Sequence, residues 1–118
     1  MARKDDLGRR GEDLAARFLE DAGYRVIERN WRCRQGEIDI IARVADTLVF
    51  VEVKTRSSVA FGHPFEAITA TKLARLRVLA AAWCAERHPR ATRIRLDAIA
   101  VIAPRSGPPA IEHLLGVF

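Results

Sequence analysis

Glu37-Ile38-Asp39 and Glu52-Val53-Lys54 bring together residue types that could hold a hard metal ion and act on a phosphate. Carboxylate oxygens suit Mg²⁺ or Mn²⁺. An ammonium beside them can orient a water or stabilise developing negative charge. Both motifs lie in β-branched runs too short for helices, Gly36–Ala42 and Leu48–Arg56, so two strands are expected. Side chains alternate along a strand, so Glu37 and Asp39 share one face of theirs, as do Glu52 and Lys54 of theirs. A hairpin loop of Ala45-Asp46, or of Val44 to Thr47, sets position 39 opposite 52 and 37 opposite 54, with all four groups on one side. A three-residue loop without a bulge sends the two pairs to opposite sides.

The two pairings differ in energy. Glu37 opposite Lys54 is an ordinary cross-strand ion pair of ~0.2–1 kcal/mol. Asp39 opposite Glu52 sets two like charges ~4 Å apart, a repulsion of about 4 kcal/mol at an effective dielectric of about 20. A proton or a bound cation relieves it. Alternating charges also occur on solvated strand faces, where ion pairs contribute little. Here, however, Leu48 and Phe50 continue the Glu52/Lys54 face, while Val49, Val51 and Val53 fill the other. That pattern describes an interior strand covered on two sides, and charges at its end need a reason.

The rest of the chain must supply that cover. Its 118 residues, 49% of them hydrophobic, suffice for one compact domain over residues 1–118. No apolar run approaches a membrane span, and Met1–Asp6 lacks the apolar stretch of a signal peptide, so a cytoplasmic location is expected. Cys33 and Cys84 have no zinc or redox spacing and read as free thiols. A formal net charge of +5 favours a polyanionic partner.

A first helix is expected over about Leu7–Ala22, with Asp6 as N-cap and Gly23 as its stop. Its apolar stripe is Leu7, Leu14, Ala15, Phe18, Leu19 and Ala22. Gly8 and Gly11 lie near that stripe, where close approach of another element would explain them. Glu12, at the stripe's edge, either reaches the sheet or forms a surface pair with Arg9 or Arg17. Arg25–Trp31 reads as a strand, followed by a loop to Gly36 and the hairpin. Ser57–Pro64 is a loop leaving the Glu-x-Lys strand; its His63 is a loop residue or a base. A second helix spans about Thr71–Arg87, with Leu73, Leu76, Leu79, Ala80, Trp83 and Cys84 on its core side. Lys72, Arg75, Arg77 and Arg87 form a flank that is either solvated or phosphate-binding. Arg93–Ile102 is a further strand, in which Asp97 makes a structural hydrogen bond or ion pair, and Ile111–Leu115 supplies an edge strand.

This order of elements resembles the YraN family of bacterial proteins, within the PD-(D/E)xK, restriction-endonuclease-like superfamily. The resemblance covers nearly the whole chain. It is carried by Gly8-Arg9-Arg10-Gly11-Glu12, Gly36–Ala42, Val49–Arg56, Gly62-x-Pro64-x-Glu66-Ala67, Lys72 and Arg95-Leu96-Asp97. Archaeal Holliday-junction resolvases look like more distant relatives. The implied fold is an α/β core with a mixed sheet of four to five strands flanked by helices, in the order α-β-β-β-α-β-(β).

The resemblance implies a metal-dependent endonuclease. Asp39 would be the acid of the first catalytic strand, and Glu52 and Lys54 the (D/E)xK pair. Glu12, Asp39, Glu52 and the Val53 carbonyl would hold one or two Mg²⁺ or Mn²⁺ ions, with Glu37 in the outer shell or paired to Lys54. Arg9, Arg10, Arg56, Lys72 and Arg75 would hold the nucleic-acid backbone, with DNA the expected partner. No base-reading element is evident, so shape or branch structure rather than sequence would be selected. A homodimer is an analogy from the resolvases. The alternatives are a nucleic-acid-binding module that keeps the nuclease fold without cleavage, or an interaction protein with a basic surface.

Overall fold

The computed structural model describes residues 3–60 and 62–117, with side chains from Asp6 onward; Phe61 of the expected loop lies outside them. Helix α1 spans Arg3–Asp21, β1 Arg25–Cys33, β2 Gly36–Val44 and β3 Thr47–Arg56. A 3-10 turn at Pro64–Ala67 precedes α2 (Ala70–Arg87), β4 (Arg93–Ile102) and β5 (Ala110–Leu114). The strands form one mixed sheet in the order β1-β2-β3-β4-β5. β3 and β4 are parallel and every other neighbour is antiparallel. The expected α/β architecture and element order are present, including the edge strand.

The two helices cover opposite faces. Ala15, Ala16 and Leu19 of α1 pack on Ile40, Ala42, Val49, Val51, Val53, Ile99 and Val101. Leu76, Leu79, Ala80 and Trp83 of α2 pack on Ile41, Leu48, Phe50 and Leu96. β3 is therefore buried on both sides, as its unbroken apolar pattern requires. Among the described residues no helix is long and apolar enough to cross a membrane. Cys33 and Cys84 are free.

Helix α1 departs from expectation at its start. It runs from Arg3, so Asp6 lies inside the helix and is not its N-cap. No glycine or proline breaks the stretch from Arg3 to Asp6, and an early carboxylate suits the positive end of the helix dipole. At the other end Gly23, with φ of 94°, closes the helix as expected. Gly23 N–H donates to the Glu20 carbonyl and Tyr24 N–H to that of Leu19, satisfying two carbonyls of the last turn. Of the two early glycines, only Gly11 is explained by close approach: a Cβ there would lie 1.8 Å from Thr55 Oγ1, whereas one at Gly8 meets nothing within 4 Å.

The hairpin turn is Ala45-Asp46, with Val44 paired to Thr47. Ala45 takes φ of 51°, a left-handed conformation that costs a residue with a Cβ about 1 kcal/mol. Asp46 is tethered in return: its carbonyl accepts from Thr92 N–H and Arg93 N–H, and its carboxylate from Thr92 Oγ1. Ala45→Gly is accordingly expected to raise stability by about 0.5 kcal/mol in urea unfolding, part of the strain relief being offset by the entropy of glycine.

Asp97 has the structural role expected of it. It is 0% exposed, and its carboxylate accepts from Arg95 Nε and Nη2 at 2.9 Å, His113 Nε2 at 2.7 Å and Gly116 N–H at 3.0 Å. Arg95 Nη2 also donates to Tyr24 Oη at 2.6 Å, so this group ties β4, β5 and the residue just before β1 together. Burial pushes the Asp97 carboxyl upward, but the bonds from His113, Arg95 and Gly116, with the Arg95 charge, outweigh it and hold the pKa below the ordinary carboxyl value. The stability this contributes is present above the unfolded carboxyl value and lost as pH falls through the lower folded value. Asp97→Asn is expected to cost about 3 kcal/mol in urea unfolding at about pH 7. The difference from wild type should shrink below about pH 4, where an unfolded aspartate takes up its proton.

Candidate functional site

The β2–β3 ladder runs from Val44/Thr47 to Ile40/Val51 and stops. β1 and β2 stay paired to Cys33/Gly36, while β3 stays on β4 to Arg56/Ile102. The sheet thus forks between β2 and β3 just where the charged motifs begin. Continued pairing would place Asp39 against Glu52 and Glu37 against Lys54. The two-residue turn satisfies that register, but the fork prevents the expected Glu37–Lys54 cross-strand pairing. Glu37 pairs instead with Arg32, at 3.6 Å.

Asp39 spans the fork. Val53 N–H, which further pairing would aim at the Ile38 carbonyl, donates to Asp39 Oδ2 at 2.8 Å. In a strand the N–H and C=O of one residue point to the same edge, so the Val53 carbonyl faces the same opening. The bend has a second signature. Ile40 belongs to the core beneath α1, yet Ile38, two residues earlier, belongs to the core beneath α2. Across from Asp39 in the β1–β2 register, Asn30 has φ of 54°. Regular strand alternation is broken there, and the β1–β2 ribbon swings toward α2.

Two cavities flank the fork. One, of about 240 Å³, is lined by Gly36, Glu37, Asp39, Glu52, Lys72, Arg75, Leu76 and Leu79. The other, of about 260 Å³ between α1 and the end of β3, is lined by Leu7, Gly8, Glu12, Val53, Lys54, Thr55, Arg56 and Ser57. Glu12 thus reaches the sheet, and its ion-pair partner is Arg29 of β1, Nη2 to Oε1 3.7 Å, rather than a neighbour on its own helix.

The acids repel one another in poor solvation. Burial, then the charge of Glu52, pushes the Asp39 carboxyl up to about 8, despite the bond from Val53 N–H; Glu12 and Glu37 add to the rise. Burial also raises Glu52, against the opposing charges of Lys72 and Lys54. Glu12 is raised by burial, against Asn30 and Arg29. Lys54 is lowered by burial and by the charges of Lys72 and Arg56, while Glu52 and Asp39 pull it the other way. Four carboxylates and two ammonium groups therefore share one electrostatic neighbourhood. Among the described residues, however, no three carboxylate, imidazole or thiol groups stand close enough together to hold an ion.

Other expected residues fall elsewhere. Arg9 is exposed on α1 and lines neither cavity. Arg10 Nη1 donates to the Pro104 carbonyl at 3.0 Å, tying α1 to the segment after β4. His63 caps the 3-10 turn through Phe65 N–H and meets Glu112 at 2.8 Å, which makes it a loop anchor. Sequence reasoning missed Arg29, Asn30 and Thr55. Asparagine's tolerance of left-handed backbone was the one signal for Asn30 inside a β run.

Fold and site together define an α/β domain whose mixed five-stranded sheet opens onto a carboxylate–lysine cluster. The chain belongs to the uncharacterised protein family UPF0102, whose model matches residues 11–101, which bears out the YraN-type resemblance at family level. A UPF0102 protein of Beutenbergia cavernae is 57% identical over 117 residues, covering 99% of each chain. One from Arthrobacter sp. (strain FB24) is 56% identical over 117 residues, and one from Streptomyces griseus 55% over 119, each with 99% of both chains covered.

Proposed function

We propose that this protein is a metal-dependent endonuclease of the PD-(D/E)xK type, hydrolysing phosphodiester bonds in nucleic acid, with DNA as the preferred substrate. The observation that carries the reading is the fork. Asp39 crosses it to Val53 N–H, with Asp39 and Glu52 lining the cavity on one side of the fork and Glu12, Val53 and Lys54 the cavity on the other. The donor set is all oxygen, which fits Mg²⁺ or Mn²⁺. The raised carboxyl values point the same way, because like charges held out of water are relieved by a cation.

Glu12, Asp39, Glu52 and the Val53 carbonyl would hold the ion, their side chains turning inward from their present spacing. When bound, the ion supplies Lewis acidity toward a phosphate oxygen and acidifies water. Lys54 stands beside the acids and would orient the attacking water or stabilise the charge that develops on the phosphoryl oxygens. Water oxygen bonds to phosphorus as one P–O ester bond breaks, and a water proton passes to the leaving oxygen. Lys72, Arg75 and Arg56 line the cavities and would hold phosphates on either side. Recognition of branched or otherwise distorted DNA, and action as a homodimer, follow from the resolvase analogy.

The test is incubation with branched, nicked and single-stranded DNA at low salt, with Mn²⁺ or with a chelator. Cleavage that needs metal and disappears in Lys54→Ala supports the reading. The wide spacing of the acids favours a second reading, a binding module without cleavage. Metal-independent DNA binding that is unchanged by Lys54→Ala, with no cutting, would select it. An absence of DNA binding at low salt would sink both, since phosphate contacts strengthen as salt falls.

A further inference from the structure

We propose that the tip of the β1–β2 hairpin, Arg32 to Gln35, enters the major groove of duplex DNA beside the fork, an inference that rests on the DNA reading above. Past the fork these two strands pair only with each other, through Trp31/Ile38, Arg32/Glu37 and Cys33/Gly36. Trp31 and Ile38 seat the ribbon on the core beneath α2. Gly36 closes the turn at φ of 146°, and a Cβ there would lie 3.6 Å from Arg75 Cδ and from Leu79 Cδ1. The ribbon is thus braced from one side, while the Arg34-Gln35 turn at its end is exposed. The stretch that reads as a loop in the sequence is a held, two-stranded tip.

The side chains suit that groove. A two-stranded ribbon, ~4.8 Å from strand to strand, fits an opening ~12 Å wide. Arginine pairs bidentately with guanine O6 and N7, and glutamine with adenine N6 and N7. Arg32 Nε stands 3.6 Å from Glu37 Oε1 with 78% of its side chain exposed, and among the described residues no ion pair engages Arg34. Gln35 Oε1 accepts from Cys33 Sγ at 3.1 Å, which orients the amide. A merely solvated basic turn would have no fixed relation to the acids. Here Gly36 and Glu37 line the same cavity as Asp39, Glu52, Lys72 and Arg75. Five residues of strand lead from Arg34 to Asp39, ~17 Å at ~3.4 Å per residue, about half a turn of duplex. A backbone held by Lys72 and Arg75 over the acids therefore presents its groove to the tip.

Arg34→Ala is the appropriate variant, because an exposed turn loses only its cation. Fluorescence anisotropy at low salt, with a chelator to prevent cleavage, compares a DNA duplex with an RNA duplex of the same sequence. The RNA has a major groove too deep and narrow for side chains to read. Wild type should prefer the DNA duplex. Arg34→Ala should bind that duplex about 10-fold more weakly and lose most of the preference. Arg90→Ala removes an equal charge near Thr92, at the opposite end of the sheet where Asp46 turns the β2–β3 hairpin. It should weaken binding only slightly, and alike on both duplexes. A wild type without the preference, a DNA loss in Arg34→Ala no larger than in Arg90→Ala, or equal losses on the two duplexes would overturn the groove assignment. Wild type that fails to bind the DNA duplex would instead overturn the DNA reading beneath it.

Discussion

Asp39→Asn combined with Glu52→Gln is expected to abolish stoichiometric Mn²⁺ binding and to lower phosphodiester cleavage by about 10³-fold. Metal stabilisation of a transition state amounts to several kcal/mol, and ~1.4 kcal/mol is tenfold in rate. Both replacements keep side-chain shape, and the amide oxygen introduced at position 39 can still accept from Val53 N–H, so the fork should persist. The same variant, free of metal, should unfold at higher urea than metal-free wild type. In wild type Asp39 is held out of water beside Glu52, with Glu12 and Glu37 close enough to add to the repulsion. Replacing both acids with amides removes the cost of burying them beside one another and of taking up a proton at Asp39 on folding. Lost binding with gained stability separates a ligand site from a structural ion pair, whose removal would cost stability. Unchanged Mn²⁺ affinity in this variant would refute the site.

Gly11→Ala is expected to destabilise the fold by about 2 kcal/mol, although alanine is the better helix former. Helix propensity alone favours the change by about 1 kcal/mol. Against it, the new Cβ would lie 1.8 Å from Thr55 Oγ1 and 2.7 Å from both Thr55 Cβ and Cγ2. Thr55 cannot turn away, because its Cβ is itself one of the contacts and β-branching restricts its rotamers. Overpacking of this kind costs about 3 kcal/mol, so the clash wins. Relief requires α1 to move off β3, which carries Glu12 away from Lys54, so at the proposed metal site Mn²⁺ binding should weaken as well. Gly8→Ala, with open space around it, should be stabilising by helix propensity. Urea unfolding of the two variants gives opposite signs if the packing is as described.

The contrast between these glycines shows how far the residues can be read. Helical spacing puts both near one stripe, but only tertiary approach separates them, and local sequence does not encode it. The two-sided burial of β3 and the buried role of Asp97 follow from alternation and from the rarity of unpaired charge in a core, whereas the two-residue turn is one of the loop lengths that alternation leaves open. The fork does not. A strand pattern says which residues share a face but not where two strands cease to pair, which is why it sets Glu37 against Lys54. Arg10 reads as any surface cation until the segment after β4 brings carbonyls before it. Glu12 is ambiguous on the helix alone, because its partner Arg29 lies on another element.

The order of the elements has a consequence for how the protein is made. Glu12, Asp39, Glu52 and Lys54 all precede α2, while the wall that helps bury Asp39 and Glu52 contains Lys72, Arg75, Leu76 and Leu79. During synthesis from the N-terminus, the acids emerge before the helix that deprives them of water. The nascent chain can shape α1 and the β1–β3 meander with its carboxylates still hydrated. Burial by α2 adds to the electrostatic penalty at the step that also brings Lys72 and Arg75 to the acids.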